Sequence, residues 1–138
     1  MHFILYADGG SRGNPGPAGA GALVLDEEGT QVVTVSEYLG IATNNIAEYT
    51  AVLRALEGLQ KLLGTQSAHA TVEARLDSQL VVRQMNGEYK IKHPNIVPLA
   101  QNVKEVARAF KTISFVHVYR EDNQEADALA NSAMDKGH

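Results

Sequence analysis

Three strand-like segments precede the first helical segment of this chain, and that order constrains its fold more than any other feature. Alternating apolar and β-branched residues predict the three strands, at 2–8, 20–25 and 31–39. A helical period follows from 44 to 63 and stops at Gly64, a residue type at which helices commonly end. The order predicts a mixed sheet with helices on its faces rather than a purely parallel, doubly wound sheet.

The second part of the chain continues with both kinds of segment. The predicted elements are a strand at 69–76, helices at 78–85 and 98–110, a strand at 113–119 and a closing helix at 124–135. There is no internal repeat and no linker-like tract, so residues 1–138 are predicted to form a single domain. The expected fold class is α/β.

Composition narrows the function classes. The chain has no cysteine, which excludes a disulfide framework and a thiolate zinc site. No apolar run approaches the roughly 20 residues that span a bilayer, and the first residues do not resemble a signal peptide, so we expect a cytoplasmic protein without a membrane partner. A net charge of −4 argues against nucleic-acid binding by bulk electrostatics alone, but not against an enzyme that meets a polyanion with divalent cations.

The glycine-rich stretch after Asp8 has two interpretations, a phosphate-binding loop or part of a metal site. A dinucleotide-binding loop needs a third glycine after Gly19-Ala20-Gly21 and a helix behind it, whereas this chain continues into a predicted hairpin turn. A Walker A loop needs a Gly-Lys-Ser/Thr ending, which the stretch lacks. A wide turn between antiparallel strands would explain the glycines and prolines, but it leaves Asp8 unexplained.

Glu48 lies on the side of its predicted helix that should be buried. At about 100° per residue, the apolar residues on that side are Val52, Ala55, Leu56, Leu59 and Leu63. An unpaired carboxylate on a buried face is costly. The alternative is a capping role, because Asn45 and Glu48 have the spacing of a capping box.

Three other acids have a similar double interpretation. Asp77 would suit a helix N-cap, Asp127 would suit the first turn of the last helix, and Asp8 would suit a turn. Strand ends are also where ligands bind in α/β sheets, and four converging acids would repel one another without cations. We therefore take convergence on divalent metal as a hypothesis, since Mg²⁺ prefers oxygen ligands and two such ions can drive phosphodiester hydrolysis.

Four motifs, in order along nearly the whole chain, resemble those of the type 1 ribonucleases H. They are Tyr6-Ala7-Asp8-Gly9-Gly10-Ser11 with Gly13-Asn14-Pro15-Gly16, Thr43-Asn44-Asn45-Ile46-Ala47-Glu48, Leu76-Asp77-Ser78-Gln79-Leu80-Val81 and Asn123-Gln124-Glu125-Ala126-Asp127-Ala128-Leu129-Ala130. The resemblance implies the RNase H-like fold, a five-stranded mixed β-sheet flanked by α-helices. It also implies a monomeric endonuclease that cleaves the RNA strand of an RNA/DNA hybrid and leaves 5′-phosphate and 3′-hydroxyl ends.

The resemblance assigns roles to individual residues. The site for Mg²⁺, or for Mn²⁺ in its place, would consist of Asp8, Glu48, Asp77 and Asp127. The residues that match minor-groove contacts of the family are Asn14, Asn44, Asn45 and Gln79. Short amides can recognise the 2′-hydroxyls that distinguish RNA from DNA, although the asparagines would also suit a turn or a helix cap.

Two departures from the family pattern concern the residues around the site. Many members carry a histidine in a loop before the last helix, whereas segment 118–123 is short and has none. Arg120 resembles an arginine of an archaeal-like subgroup and would assist phosphate binding or leaving-group departure, while His117 is expected to be packed within its strand. The basic protrusion of some bacterial members is also absent, which predicts weak, salt-sensitive binding. Three basic residues in or near the shorter connection would touch phosphates or form a solvated face: Arg83, Lys90 and Lys92.

Two other classes of function remain open. A hybrid-binding module without turnover would keep the fold, but the presence of all four acids argues against it. A related nuclease or strand-transfer enzyme acting on DNA would share the sheet and the acids, but Asn14, Asn44 and Asn45 favour recognition of ribose. A panel of hybrid, duplex DNA and duplex RNA substrates would separate these functions.

Overall fold

The computed structural model describes residues 1–137, which form one five-stranded sheet flanked by helices. In chain order the elements are β1 (His2–Ser11), β2 (Gly16–Leu25), β3 (Gln31–Ala42), α1 (Asn44–Leu63), β4 (Thr71–Leu76), α2 (Gln79–Met85), α3 (Val97–Ala107), β5 (Thr112–His117) and α4 (Gln124–Lys136). Short 3₁₀ helices precede β4 and α4, at Gly64–His69 and Arg120–Asn123. Within the described residues, no helix is long and apolar enough to cross a membrane.

The order of the strands places two acids side by side. The sheet has the order β3-β2-β1-β4-β5, with β1, β2 and β3 antiparallel to one another in turn and β4 and β5 parallel to β1, so the predicted mixed sheet is confirmed. The parallel ladder between β1 and β4 ends at the pair Ala7 and Leu76. The next residues along the chain are Asp8 and Asp77, which therefore lie together where the parallel ladder ends.

Glycines allow two helices to lie directly on the strands. A Cβ at Gly9 would meet the backbone of α1 at Glu48, and a Cβ at Gly21 would meet the backbone of α4 at Ala126. The residue after Gly9 in β1, Gly10, faces α4 instead. Because successive strand residues point to opposite faces, α1 and α4 cover opposite faces of the sheet.

The predicted wide turn around these glycines is wrong. β1 continues to Ser11 and β2 begins at Gly16, so only residues 12–15 form the turn, with a cis peptide bond between Asn14 and Pro15. Asp8 lies inside β1, opposite Gly21, and does not start a turn. Glycine in a strand often marks the close approach of another backbone. In the sequence, such a glycine looks the same as a turn glycine, and only the positions of the helices distinguish the two.

The core fixes α1 firmly against the sheet. The helix has the predicted bounds, ends at Gly64 with φ +56°, and buries Tyr49, Val52, Leu56 and Leu59 completely. Fully burying one such side chain contributes about 1.5–3 kcal/mol, so α1 is a rigid support for the residues it carries.

The ends of the other elements differ from prediction by one to four residues, and the largest difference is at the start of β2. α3 begins one residue earlier and ends three residues earlier than expected, and β5 ends at His117. His117 is exposed, and its ring meets the Tyr119 ring edge-on with 5.9 Å between centroids. The expectation of a packed histidine is wrong because β5 is an edge strand and His117 is its last residue.

Candidate active site

Three carboxylates converge where the ladder between β1 and β4 ends. One oxygen from each of Asp8, Glu48 and Asp77 lies within 4.8 Å of the others. Asp8 comes from β1, Asp77 follows β4, and Glu48 reaches them from α1, whose backbone rests on β1 at Gly9. Asp8 and Glu48 are only 8% and 7% exposed. Three different elements therefore deliver these acids to one nearly buried point.

Asp127 approaches the same point from the opposite face of the sheet. It lies in the first turn of α4 and lines a cavity of about 480 Å³ together with the other three acids. It is not part of the group whose oxygens all lie within 4.8 Å. Its Oδ2 accepts a hydrogen bond from Asn131 Nδ2 at 3.2 Å, one turn further along α4. The structure thus places all four predicted acids around one cavity.

The capping alternatives for two of these acids are wrong. Thr43, not Asn45, is the N-cap of α1, and its hydroxyl accepts a hydrogen bond from the Ile46 amide at 3.3 Å. Ser78, not Asp77, caps α2 in the same way through its hydroxyl. The observed caps lie two residues before Asn45 and one residue after Asp77. Glu48 and Asp77 therefore lack the local role that would explain them.

Burial and mutual repulsion hinder ionisation of two of the acids. The pKa of Asp8 is raised from 3.8 to about 8, chiefly by burial and then by the negative charge of Asp77. The pKa of Glu48 is raised well above its usual range by burial and by the charge of Asp8, although a hydrogen bond from the Gly9 amide lowers it. At neutral pH the cluster therefore holds a proton until a cation takes its place.

The acids present a donor set that suits a divalent cation. Glu48 Oε2 is buried and has no hydrogen-bond partner among the described residues. An unpaired buried carboxylate oxygen is costly, and like charges a few ångström apart add to that cost. Mg²⁺ and Mn²⁺ bind carboxylate oxygens, so a cation held by Asp8, Glu48 and Asp77 would offset both costs.

A short hydrogen-bonded chain joins Asn44, which lines the cavity, to Asn14, which does not. Asn44 Oδ1 accepts hydrogen bonds from the Ser11 amide at 2.8 Å and from the Ser11 hydroxyl at 3.3 Å. The backbone N–H of Asn44 donates to Asn14 Oδ1 at 3.1 Å. Both side-chain carbonyl oxygens are thus occupied, and both residues are exposed. Their Nδ2 groups are the donors left for a ligand.

Two arginines line the acidic cavity. Arg120, the first residue of the 3₁₀ helix before α4, is exposed and shares the cavity with the four acids. Arg12, from the turn between β1 and β2, pairs with Asp135 at 2.6 Å, through side chains that are 49% and 68% exposed. Exposed ion pairs contribute little stability, so the Arg12 guanidinium would exchange this partner for another anion at small cost.

Several predicted contact residues lie outside the cavity. Asn45 and Gln79 do not line it; Asn45 is half-buried in α1 and Gln79 is exposed at the start of α2. Arg83 donates to a tyrosine hydroxyl at 2.7 Å and lies over that ring. Lys90 and Lys92 are exposed, and Lys90 lines a separate cleft of about 520 Å³.

Three polar residues near the acids are missed by the sequence analysis: Arg12, Asn123 and Asn131. The spacing of Asp127 and Asn131 is one at which helical side chains meet, so this pair has a detectable signal. Arg12 resembles an ordinary turn residue, and Asn123 resembles an ordinary residue before a helix. Their contacts, with Asp135 and with the backbone of β1, join distant parts of the chain.

Comparison with known proteins decides the family. The profile of the family described as "Reverse transcriptase-like" matches residues 6–133. A ribonuclease HI of Halobacterium salinarum is 39% identical over 130 residues, which are 94% of this chain and 63% of that protein. A solved structure of LC11-RNase H1, a protein isolated from compost, in complex with an RNA/DNA hybrid is 45% identical, with a TM-score of 0.91 and 97% of each chain covered. The chain belongs to the type 1 ribonuclease H family.

Members of this family also occur within longer proteins. A bifunctional protein of Mycobacterium tuberculosis is 43% identical over 136 residues, which are 98% of this chain but 36% of that protein. The chain therefore spans about a third of the mycobacterial relative and a little under two thirds of the halobacterial one. The shared part has the ribonuclease H-type fold described above.

Proposed function

We propose that this chain hydrolyses the RNA strand of RNA/DNA hybrids by two-metal-ion catalysis, leaving 5′-phosphate and 3′-hydroxyl ends. The observation that carries the proposal is the cluster of Asp8, Glu48 and Asp77, which gathers carboxylate oxygens within 4.8 Å and leaves one buried oxygen unpaired. Such a cluster costs stability and is explained by a function that needs it. The hybrid bound by a relative that is 45% identical supports the same class of substrate here.

The four acids would share the task of holding the ions, which are Mg²⁺ or Mn²⁺. When bound, the ions would supply an activated water and stabilise the leaving oxygen. Asp8 and Glu48 would give up protons as the ions enter, because their raised pKa values mark protons that compete with metal. Asn131 would keep Asp127 oriented through its hydrogen bond to Oδ2.

The rim of the cavity would recognise the ribose and the phosphates. Asn14 and Asn44 present fixed Nδ2 donors, which suit the 2′-hydroxyl and the base acceptors of a hybrid minor groove. Asn45 and Gln79 would contact the hybrid outside the cavity. Arg120 would bind a phosphate oxygen beside the acids, since a guanidinium matches phosphate geometry.

A substrate panel tests the function. The wild type and Asp77→Asn, which keeps the size of the side chain and removes its charge, are incubated with end-labelled hybrid, duplex DNA and duplex RNA in the presence of Mg²⁺ or Mn²⁺. We expect the wild type to cut only the RNA strand of the hybrid and to leave phosphatase-sensitive 5′ ends, and we expect Asp77→Asn to cut nothing. Glu105→Gln, which removes a charge from the exposed side of α3, should behave as the wild type.

Two outcomes would replace the proposal. Preferred cutting of duplex DNA would indicate a DNA nuclease. Tight hybrid binding without cleavage under either metal would indicate a binding module. The proposal also includes a monomer that acts in the cytoplasm, to be tested by light scattering in solution and by cell fractionation.

A further inference from the structure

We infer that Asn123 is a positioning residue that ties α4 to β1 and thereby sets the placement of Asp127 relative to Asp8. The inference rests on the proposed function, because it assigns Asn123 a role in the metal site. Asn123 is the last residue of the 3₁₀ helix before α4 and is only 1% exposed. A polar side chain so fully buried needs a reason.

The side chain bridges two elements that are far apart in the chain. Asn123 Nδ2 donates to the Ala7 carbonyl oxygen at 2.9 Å, across 116 positions of sequence. A carbonyl oxygen only accepts, so the atom that faces it must be the amide nitrogen. Ala7 directly precedes Asp8, and Asn123 lies about one helical turn before Asp127. The hydrogen bond therefore joins the backbones that carry two acids from opposite faces of the sheet.

Asn123 makes this bond instead of the usual bond of its position. Asparagine before a helix commonly stabilises it by accepting a hydrogen bond from a first-turn amide. Asn123 occupies the N-cap position of α4 but makes no such side-chain bond. Its Oδ1 is buried without a partner among the described residues, which destabilises the fold. Helix stability alone would favour a capping side chain, so the bond to β1 explains the geometry better.

The packing of α4 shows why such a tie is useful. The buried side chains of α4 are alanines, and they rest on β2 where glycines leave no side chain between helix and strand. Small residues on both sides set the height of the helix above the sheet but resist sliding along it only weakly. Side-chain bonds at Ser36 and Gln31 join α4 to β3, at the edge of the sheet. Asn123 ties the start of α4 to β1, the strand that carries Asp8.

A functional site needs its groups held to within about 0.5 Å of their working positions. Asp127 depends most on such support, because it reaches the other acids from the opposite face of the sheet. Loss of the Asn123 bond would therefore loosen Asp127 while leaving the cluster of Asp8, Glu48 and Asp77 in place. The expected consequence is weaker metal binding and slower turnover, rather than weaker hybrid binding.

The variants Asn123→Ser and Asn123→Thr separate this role from stability. Both residue types are good N-caps, as Ser78 and Thr43 show in this protein, so they would cap α4 while being too short to reach Ala7. The matched control is Asn86→Ser, since Asn86 Nδ2 also donates to a strand carbonyl, that of Phe115 in β5, at 3.2 Å. The control removes the same kind of bond from a place outside the acidic cavity.

The measurements are Mn²⁺ affinity by titration calorimetry, and kcat and KM for a hybrid. We expect both Asn123 variants to bind Mn²⁺ about tenfold more weakly and to lose kcat at limiting metal by a similar factor. The KM for hybrid at saturating metal should change by less than about twofold, and Asn86→Ser should match the wild type in every value. If wild-type Mn²⁺ affinity and kcat persist in both Asn123 variants, the inference is wrong and the residue is merely structural. If the wild type itself binds no Mn²⁺, the proposed function fails first.

Discussion

Replacing Asp8 with asparagine should stabilise the metal-free protein, and the gain should grow with pH. The pKa of Asp8 is raised from 3.8 to about 8, chiefly because burial disfavours its charged form. A group whose pKa is higher in the folded than in the unfolded state contributes its full stabilisation below the unfolded-state pKa. That contribution is lost as the pH rises through the folded-state pKa. Wild-type stability without metal should therefore fall between about pH 4 and about pH 8.

The size of the gain follows from the rise in pKa. From 3.8 to about 8 is a little over four pKa units, and at about 1.4 kcal/mol each this gives an upper bound of roughly 6 kcal/mol at high pH. Protein interiors respond to charge as a more polar medium than dry protein, so we expect a gain of about 2–4 kcal/mol. For a chain of this size, each kcal/mol shifts the midpoint of thermal unfolding by roughly 4 °C, so the midpoint should rise by about 8–16 °C.

The assay is thermal unfolding of Asp8→Asn and wild type in a chelator, at several values between about pH 4 and about pH 8. The two proteins should unfold at nearly the same temperature at the acidic end and diverge towards the alkaline end. Excess Mg²⁺ should reduce the difference, because ligand binding stabilises the wild type more than the variant. Asp122→Asn, an exposed acid, serves as the control and should follow the wild type. A gain that is absent, or that does not depend on pH, would show that ionisation of Asp8 does not destabilise the metal-free fold.

Three further substitutions have defined outcomes. Gly21→Ala would press a Cβ against the backbone of α4 and should cost about 1–3 kcal/mol in denaturant unfolding; an unchanged midpoint would contradict the close packing. Asn44→Ala removes one Nδ2 donor and its bonds to Ser11, so KM for hybrid should rise about fivefold in steady-state kinetics while the Mn²⁺ affinity stays the same. Arg120→Ala should lower kcat about tenfold, which is less than the loss caused by removing a hydrogen-bond donor from a water-excluded site. Arg120→Lys should recover part of the lost kcat. Full activity of Arg120→Ala would exclude a role of Arg120 in turnover.

The elements that the sequence predicts well are those whose signal is local. α1 has the predicted bounds because an uninterrupted apolar period fills it and Gly64 ends it. The glycines of β1 and β2 mislead, because a glycine in a turn and a glycine beneath a helix look alike in sequence. Gly9 and Gly19 lie outside the predicted strands, and only the positions of α1 and α4 show that they are strand residues on which a helix backbone rests.

The candidate site also contains residues that the sequence reveals and residues that it does not. Glu48 is detectable because a carboxylate interrupts an apolar helical face, and the structure places it in the cluster with Asp8 and Asp77. The residues that hold the acids in place are not detectable, because their contacts are long-range. Asn123 resembles a helix cap until its bond to Ala7 is seen, 116 positions away, and no local pattern encodes that bond.

The most direct test of metal-dependent RNA cleavage by this protein is to follow the cleavage of a hybrid labelled on both strands across a titration of Mg²⁺ that begins in chelator. We expect no cleavage in chelator and cutting of the RNA strand alone as Mg²⁺ is added, because the acids of the cavity would hold the cations that cleavage needs. Cutting of the RNA strand that persists in chelator, or cutting of the DNA strand as Mg²⁺ rises, would contradict this expectation.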